Sequence, residues 1–349
     1  MLPTSKHIYS QTRQTNKRIM TTKVSVDHVK GAFLGCLVGD AAGGTLEFLH
    51  EELTPAILHN AMNMKGGGRL KLGPGQITDD GETSVCLMQA LLSNDPAYGF
   101  PTQAVFSNYH RWYMSMPFDI GNTCRMAFSN KLGEERIQSY LNVSQANGAL
   151  MRCSAIAIWA VNEDDDTIAH FARCDAKLSH PNMNCQDCNA LYCIALAFLM
   201  KHPGQHNACY LHVEEYMKSR GMSIDVLEWF EESKRDLTDY NCTKNIGWIK
   251  HGFVLAMYHL RLGSLFQDAT MDVLRRLGDS DTNCCIVLGL IGCLHGASAI
   301  PAPMKDPLLA FDCTNPGAMG HVRPAMYSAS YNYGLLNAFL NRSQFGVTT

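Results

Sequence analysis

Apolar residues recur along most of this chain at the three-to-four-residue spacing of helices, and few segments show the strict alternation of a half-buried strand. From Val29 onward the pattern predicts helices over VKGAFLGCLVGDAAGGTLEFL, TSVCLMQALLS, ALMRCSAIAIWAV, DCNALYCIALAFLM, VLEWFEESK, GWIKHGFVLAMYHLRL, ATMDVLRRL and TNCCIVLGLIGCLHGAS. The fold class is therefore expected to be all-α. Segments 31–45 and 286–299 are rich in Gly, Ala, Ser and Cys, which lets neighbouring backbones approach closely, so both belong at the centre of a bundle. The most conspicuous connection, MKGGGRLKLGPGQ (64–76), lacks the Lys-Ser/Thr ending of a phosphate-binding loop and reads as an ordinary loop. No repeat of fixed period and no linker interrupts residues 29–345. One domain, 27–349, is expected behind an arm, 1–26.

Composition narrows the function classes. The chain has 349 residues, 46% of them hydrophobic, which is ample for a sizeable core. With 29 basic and 32 acidic residues the net charge is only −3, so no global field attracts nucleic acid or an anionic membrane. The longest apolar runs carry Asp, His or Lys within them, so no membrane span is expected. The 14 cysteines lie within apolar helical segments rather than in the punctuated loops of a disulfide scaffold, which predicts a reducing, cytoplasmic location. Cys185 and Cys188 form a CxxC without a second one, and read as packed thiols rather than a zinc site.

Acids appear where buried helices should have none. Asp40 and Glu47 stand seven residues apart, on one face if their helix continues through the glycines. Thr78, Asp79 and Asp80 precede one apolar helix; Asp279, Asp281 and Thr282 precede another. Either set alone is explained by helix capping. Two such sets before central helices are not, because like charges pressed together need a compensating cation. Carboxylate and hydroxyl oxygens without His or Cys suit a hard ion, Mg²⁺ or Mn²⁺, and six of them with waters would hold two.

The segments GAFLGCLVGDAAGGTLEF, GGGRLKLGPGQITDDGE, FDIGNTCR, NGALMRC and GDSDTN occur in this order. Together they resemble the ADP-ribosylglycohydrolases, particularly the branch typified by the dinitrogen reductase-activating glycohydrolase, from about Gly31 to Pro301. The resemblance implies a compact orthogonal helical bundle around a binuclear Mg²⁺ or Mn²⁺ centre that removes ADP-ribose from a protein side chain, in this branch usually arginine. It implies Thr78, Asp79, Asp80, Asp279, Asp281 and Thr282 as metal ligands. Glu47 matches the acid beside the metals. Asp119 and Asn122 match residues facing the scissile bond and the ribose. Asn147 and Gly148 match a substrate-lining turn, and His180 falls near a family histidine segment. Gly81 departs from the pattern, standing where the family usually has Thr or Ser, and predicts altered geometry at the site.

The expected reaction is hydrolysis of the N-glycosidic bond between ADP-ribose and an arginine guanidinium, with Asp119 and Glu47 as the catalytic acids. A catalytically silent ADP-ribose- or partner-binding protein, and a hydrolase of the ADP-ribosyl-serine linkage, remain as alternatives. The arm, residues 1–26, holds five Lys/Arg and no acid. Some bacterial members of the family resemble immunity proteins against ADP-ribosyltransferase toxins, so the arm is expected to be a solvated tail, a mitochondrial-type targeting peptide, or a segment that enters the cleft of such a toxin.

Overall fold

A computed structural model describes residues 23–129 and 135–341, the Arg136 side chain excepted. Among the described residues the regular structure is helical, with only two isolated β-bridges and no sheet. In chain order come α1 Val26–Gly43, α2 Pro55–Met62, α3 Asp79–Leu91, α4 Thr102–Met114, α5 Asn122–Phe128, α6 Glu135–Val143, α7 Ser154–Trp159 and α8 Asp165–Ala176. There follow α9 Met183–Lys201, α10 His206–Arg220, α11 Ile224–Glu232, α12 Ile249–Leu262, α13 Phe266–Arg276, α14 Ser280–His295, α15 Ala302–Ala310 and α16 Ala329–Leu340. None of these helices is long and apolar enough to cross a membrane.

The expectation of two central small-residue helices is met by α1 and α14, which run antiparallel with their backbones in contact. Gly31, Gly35, Gly39 and Gly43 form a stripe at four-residue spacing on α1. A β-carbon on them would lie 2.0 Å from the Gly292 carbonyl oxygen, 2.0 Å from that of Leu288, 2.3 Å from that of Cys284 and 2.2 Å from that of Ser280, respectively. The stripe therefore fixes the register of the pair, and that register brings the last turn of α1, carrying Asp40, against the first turn of α14, carrying Asp281. Alanine at Gly35 has no room, because the obstructing atom is backbone. Gly35→Ala is expected to destabilise the fold by roughly 1–3 kcal/mol, typical of overpacking, read as a lower midpoint in urea unfolding; an unchanged midpoint would mean that the pair separates freely.

Two predicted helices are shorter than their apolar runs. α1 stops at Gly43, and residues 44–48 form turns instead of continuing to Leu49. Of the run ALMRCSAIAIWAV only α7 is α-helical, and residues 148–153 turn through the pocket described below. Cys185 and Cys188 are buried thiols, as expected of packing residues, and Cys185 Sγ donates to the Ser144 and Ala146 carbonyls. At the N-terminal end Val24 is already buried and the Ser25 N–H donates to the Met200 carbonyl oxygen. The expectation for the arm otherwise falls on residues 1–22, outside the described residues.

Candidate metal centre and active site

The N-terminus of α3 puts the capping explanation to the test. The N-cap is Thr78, yet its side chain makes no capping hydrogen bond; its hydroxyl donates to Asp40 Oδ1 at 2.7 Å. Glu82, which would complete a capping box with Asp79, points elsewhere and accepts from Trp112 Nε1 at 2.6 Å and from Arg323. At the start of α14 the N-cap Asp279 likewise caps nothing, and its Oδ2 accepts from Asn147 Nδ2 at 2.6 Å. Neither N-cap side chain therefore caps its own helix, although Asp281 Oδ1 accepts from the Thr282 N–H in the first turn of α14 at 2.9 Å.

Their carboxylates converge on two groups that share a member: Asp40, Asp80 and Asp281 in one, Glu47, Asp279 and Asp281 in the other, the oxygens of each lying within 4.8 Å of one another. All five residues are buried. Asp40 was not in the ligand set implied by the resemblance. It is oriented by the Thr78 hydroxyl and by the backbone N–H groups of Thr78 and Gly81, the latter at 2.8 Å from Oδ2. Gly81 makes this possible, since a β-carbon there would stand 2.6 Å from Asp40 Oδ2. The departure from the family pattern thus has a local consequence: it lets the Asp40 carboxylate lie against the α3 backbone. Glu47 reaches the cluster from the turn after α1 rather than from a continued helix. Asp79 stands outside both groups, accepting from the Gly121 N–H.

Above the carboxylates opens a cavity of about 440 Å³. Of the residues singled out in the sequence, Glu47, Asp79, Asp80, Asp119, Asn122, Asn147, Gly148, His180, Asp279, Asp281 and Thr282 line it; Thr78 lies behind them, fully buried. Asp119 comes from the loop between α4 and α5, and Asn122 from the first turn of α5. His180 is buried, with Nδ1 bonded to the Ser179 hydroxyl at 2.8 Å and Nε2 unpartnered. Burial and the nearby Arg152 guanidinium push its pKa down to about 3, so it offers the cavity a neutral imidazole. Phe48, Tyr140 and Ile246 add apolar walls that the acid pattern did not point to.

Desolvation dominates the electrostatics. Burial, opposed by the Thr78 and Gly81 hydrogen bonds, raises Asp40 to about 7. Burial and the Asp119 charge raise Glu47 to about 8, and burial and Asp279 raise Asp119 to about 6. Asp79, Asp80 and Asp281 are pushed well above the usual carboxylate range, by burial first and by neighbouring acids next. A cation removes this conflict. The donor set is all oxygen, as a hard divalent ion requires, and Glu47 Oε2 and Asp80 Oδ1 are buried with no hydrogen-bond partner. The residues present fit such ions.

A pH dependence follows for the metal-free chain. Carboxyls whose folded pKa is raised bind protons that the unfolded chain has released, so their stabilising contribution is full below about pH 4 and is lost as pH rises through about 6 to 8. In chelator, Tm is expected to fall between about pH 5 and pH 8, and added Mg²⁺ or Mn²⁺ should raise it most at the alkaline end. A chelated protein with constant Tm across that range would contradict crowded, uncompensated acids.

Comparison with known proteins bears on the family and the fold. A family model described as ADP-ribosylglycohydrolase matches residues 20–326, and the chain belongs to that family. It is 27% identical over 287 residues to the ADP-ribosyl-[dinitrogen reductase] glycohydrolase of Rhodospirillum rubrum, covering 79% of this chain and 88% of that protein. It is 28% identical over 299 residues to the ADP-ribosylarginine hydrolase Tri1 of Serratia proteamaculans, covering 82% of this chain and 76% of that one. A solved structure titled as an ADP-ribosylglycohydrolase-related protein complex superposes with a TM-score of 0.66 at 22% identity, covering 89% of this chain and 98% of that chain. This last likeness speaks for the fold alone.

Proposed function

We infer that the protein hydrolyses the N-glycosidic bond joining ADP-ribose to an arginine side chain. One observation carries the reading: buried carboxylates gather on the floor of a cavity whose wall presents a further carboxylate, Asp119. Asp40, Asp80, Asp281, Glu47 and Asp279 would hold two Mg²⁺ or Mn²⁺ ions, with Thr78, Asp79 and Thr282 beside them. Such ions supply positive charge that fixes vicinal ribose hydroxyls and polarises a water.

The remaining work falls to the chain's own side chains. Asp119 pairs with the planar guanidinium, which matches a carboxylate fork, and so orients the bond to be cut. Water adds to the anomeric carbon as the carbon–nitrogen bond breaks. Asp119, with its pKa raised to about 6, receives the water's proton and returns it to the departing guanidine nitrogen. Asn122 and neutral His180 offer hydrogen bonds to the sugar, and Asn147 keeps Asp279 oriented through its 2.6 Å bond. The relatives named ADP-ribosylarginine hydrolase support arginine as the linkage.

Release of ADP-ribose should be measured on arginine-linked and serine-linked conjugates, with and without chelator. Metal-dependent release from the arginine conjugate is expected. Release confined to the serine conjugate would move the reading to that linkage, and binding without release would make the chain a silent member of the family.

A further inference from the structure

The loop 64–76 finds no use in the chemistry above, although it borders the site: a β-carbon on Gly68 would lie 2.4 Å from the Thr45 carbonyl oxygen, two residues before Glu47. Lys65, Arg69 and Lys71 are exposed on it, and no ion pair engages any of them among the described residues. The loop is stitched to a second segment, 319–323. His321 Nε2 lies 2.6 Å from the Leu70 carbonyl oxygen, and the Gln76 side chain bonds both the N–H and the carbonyl of His321. That segment holds a third, residues 115–118. The Phe118 and His321 rings stack at 4.1 Å, and Arg323 donates to the Ser115 carbonyl at 3.0 Å while its guanidinium pairs with buried Glu82.

Beside these cations, the end of α4 and the segments 115–118 and 319–323 expose apolar side chains. Met116 is 85% exposed and Val322 71%, with Met114 and Met319 also at the surface. Methionines adapt to varied apolar partners, and exposed apolar side chains on neighbouring segments are a feature of interaction sites. The face adjoins the rim of the catalytic cavity, because Phe118 is followed directly by Asp119, which lines it.

We propose that this face docks the ADP-ribosylated protein, engaging an acidic segment with interspersed apolar residues next to the modified side chain. The inference rests on the hydrolase reading above and names how that activity recognises its substrate. Two of its segments lead directly to cavity-lining residues, Phe118 to Asp119 and the Gly68 contact at Thr45 to Glu47, which puts the face within reach of a protein whose ADP-ribose is inserted. The three unpaired cations, on a chain whose net charge is −3, set the sign of the partner.

The test uses the full chain and three probes: free ADP-ribosyl-arginine, a peptide carrying it between Asp/Glu/Leu flanks, and one carrying it between Lys/Ser flanks. Wild-type kcat/KM is expected to favour the acidic peptide over the basic one by at least about tenfold. In the double variant Arg69→Glu, Lys71→Glu that order should reverse, and in Met116→Asp both peptides should suffer in KM. Turnover of free ADP-ribosyl-arginine should stay within about twofold in both variants. No flank preference in the wild type would overturn the proposal. So would an equal loss on the free conjugate in the charge-reversal variant, which would assign these cations to the phosphates of ADP-ribose. Absence of turnover on free ADP-ribosyl-arginine by the wild type contradicts the hydrolase reading itself, and the docking face with it.

Discussion

Replacing Asp281 by alanine is expected to reduce ADP-ribose release by about 10³-fold or more, equivalent to roughly 4 kcal/mol of transition-state stabilisation. Asp281 has this weight because it alone belongs to both carboxylate groups, so its loss would weaken both candidate ion sites at once. Asp40→Asn or Glu47→Gln touches one group each and should cost less. The stability effect runs the other way. In chelator, Asp281→Ala removes one of the mutually repelling buried acids, and its Tm should equal or exceed that of the wild type. Isothermal titration with Mn²⁺ checks the first statement, and thermal unfolding in chelator the second. A variant that binds two ions and turns over normally would show that the cluster is not the metal site.

Asp119→Asn should separate chemistry from assembly. Asparagine keeps the size and a hydrogen-bonding group but neither carries the charge nor accepts a proton. Asp119 belongs to neither carboxylate group, so metal content and Tm should stay near wild type. Turnover is expected to fall by about 10² to 10⁴-fold, the range for losing a positioned proton-transfer group. A fall of less than about tenfold, roughly 1.4 kcal/mol, would assign Asp119 to binding alone and leave the proton transfers to another group.

The fold was largely legible in the sequence because helices declare themselves locally. The apolar runs gave the long helices α9, α12 and α14, and the small-residue composition of 31–45 and 286–299 pointed to the pair that meets backbone to backbone. Where the runs misled, a local competitor won. Gly43 and Gly44 end α1 before Glu47, and residues 148–153 turn to line the cavity although their apolar character suits a helix.

The site was legible in part, through acids placed at the thresholds of apolar helices. Asp40 shows what that signal misses. It sits inside an apolar stretch of α1, where an acid is anomalous, but its place in the cluster depends on the glycine stripe that sets α1 against α14, and on Gly81. Neither follows from spacing along the chain. The same holds for Glu82 and Arg323, a buried pair 241 positions apart. One of them looked like half of a capping box and the other lies beyond the stretch that carries the family motifs. Only the folded chain shows that they hold together the loop leading into Asp119.

The central claim is that the buried carboxylates serve hydrolysis by holding divalent ions. It is tested most directly by stripping the protein of metal and titrating Mn²⁺ back while ADP-ribose release from an arginine conjugate and bound metal per chain are measured in the same samples. Release is expected to be negligible at the start and to rise with occupancy until two ions are bound per chain. Full turnover in the stripped protein, with no metal bound, would contradict it.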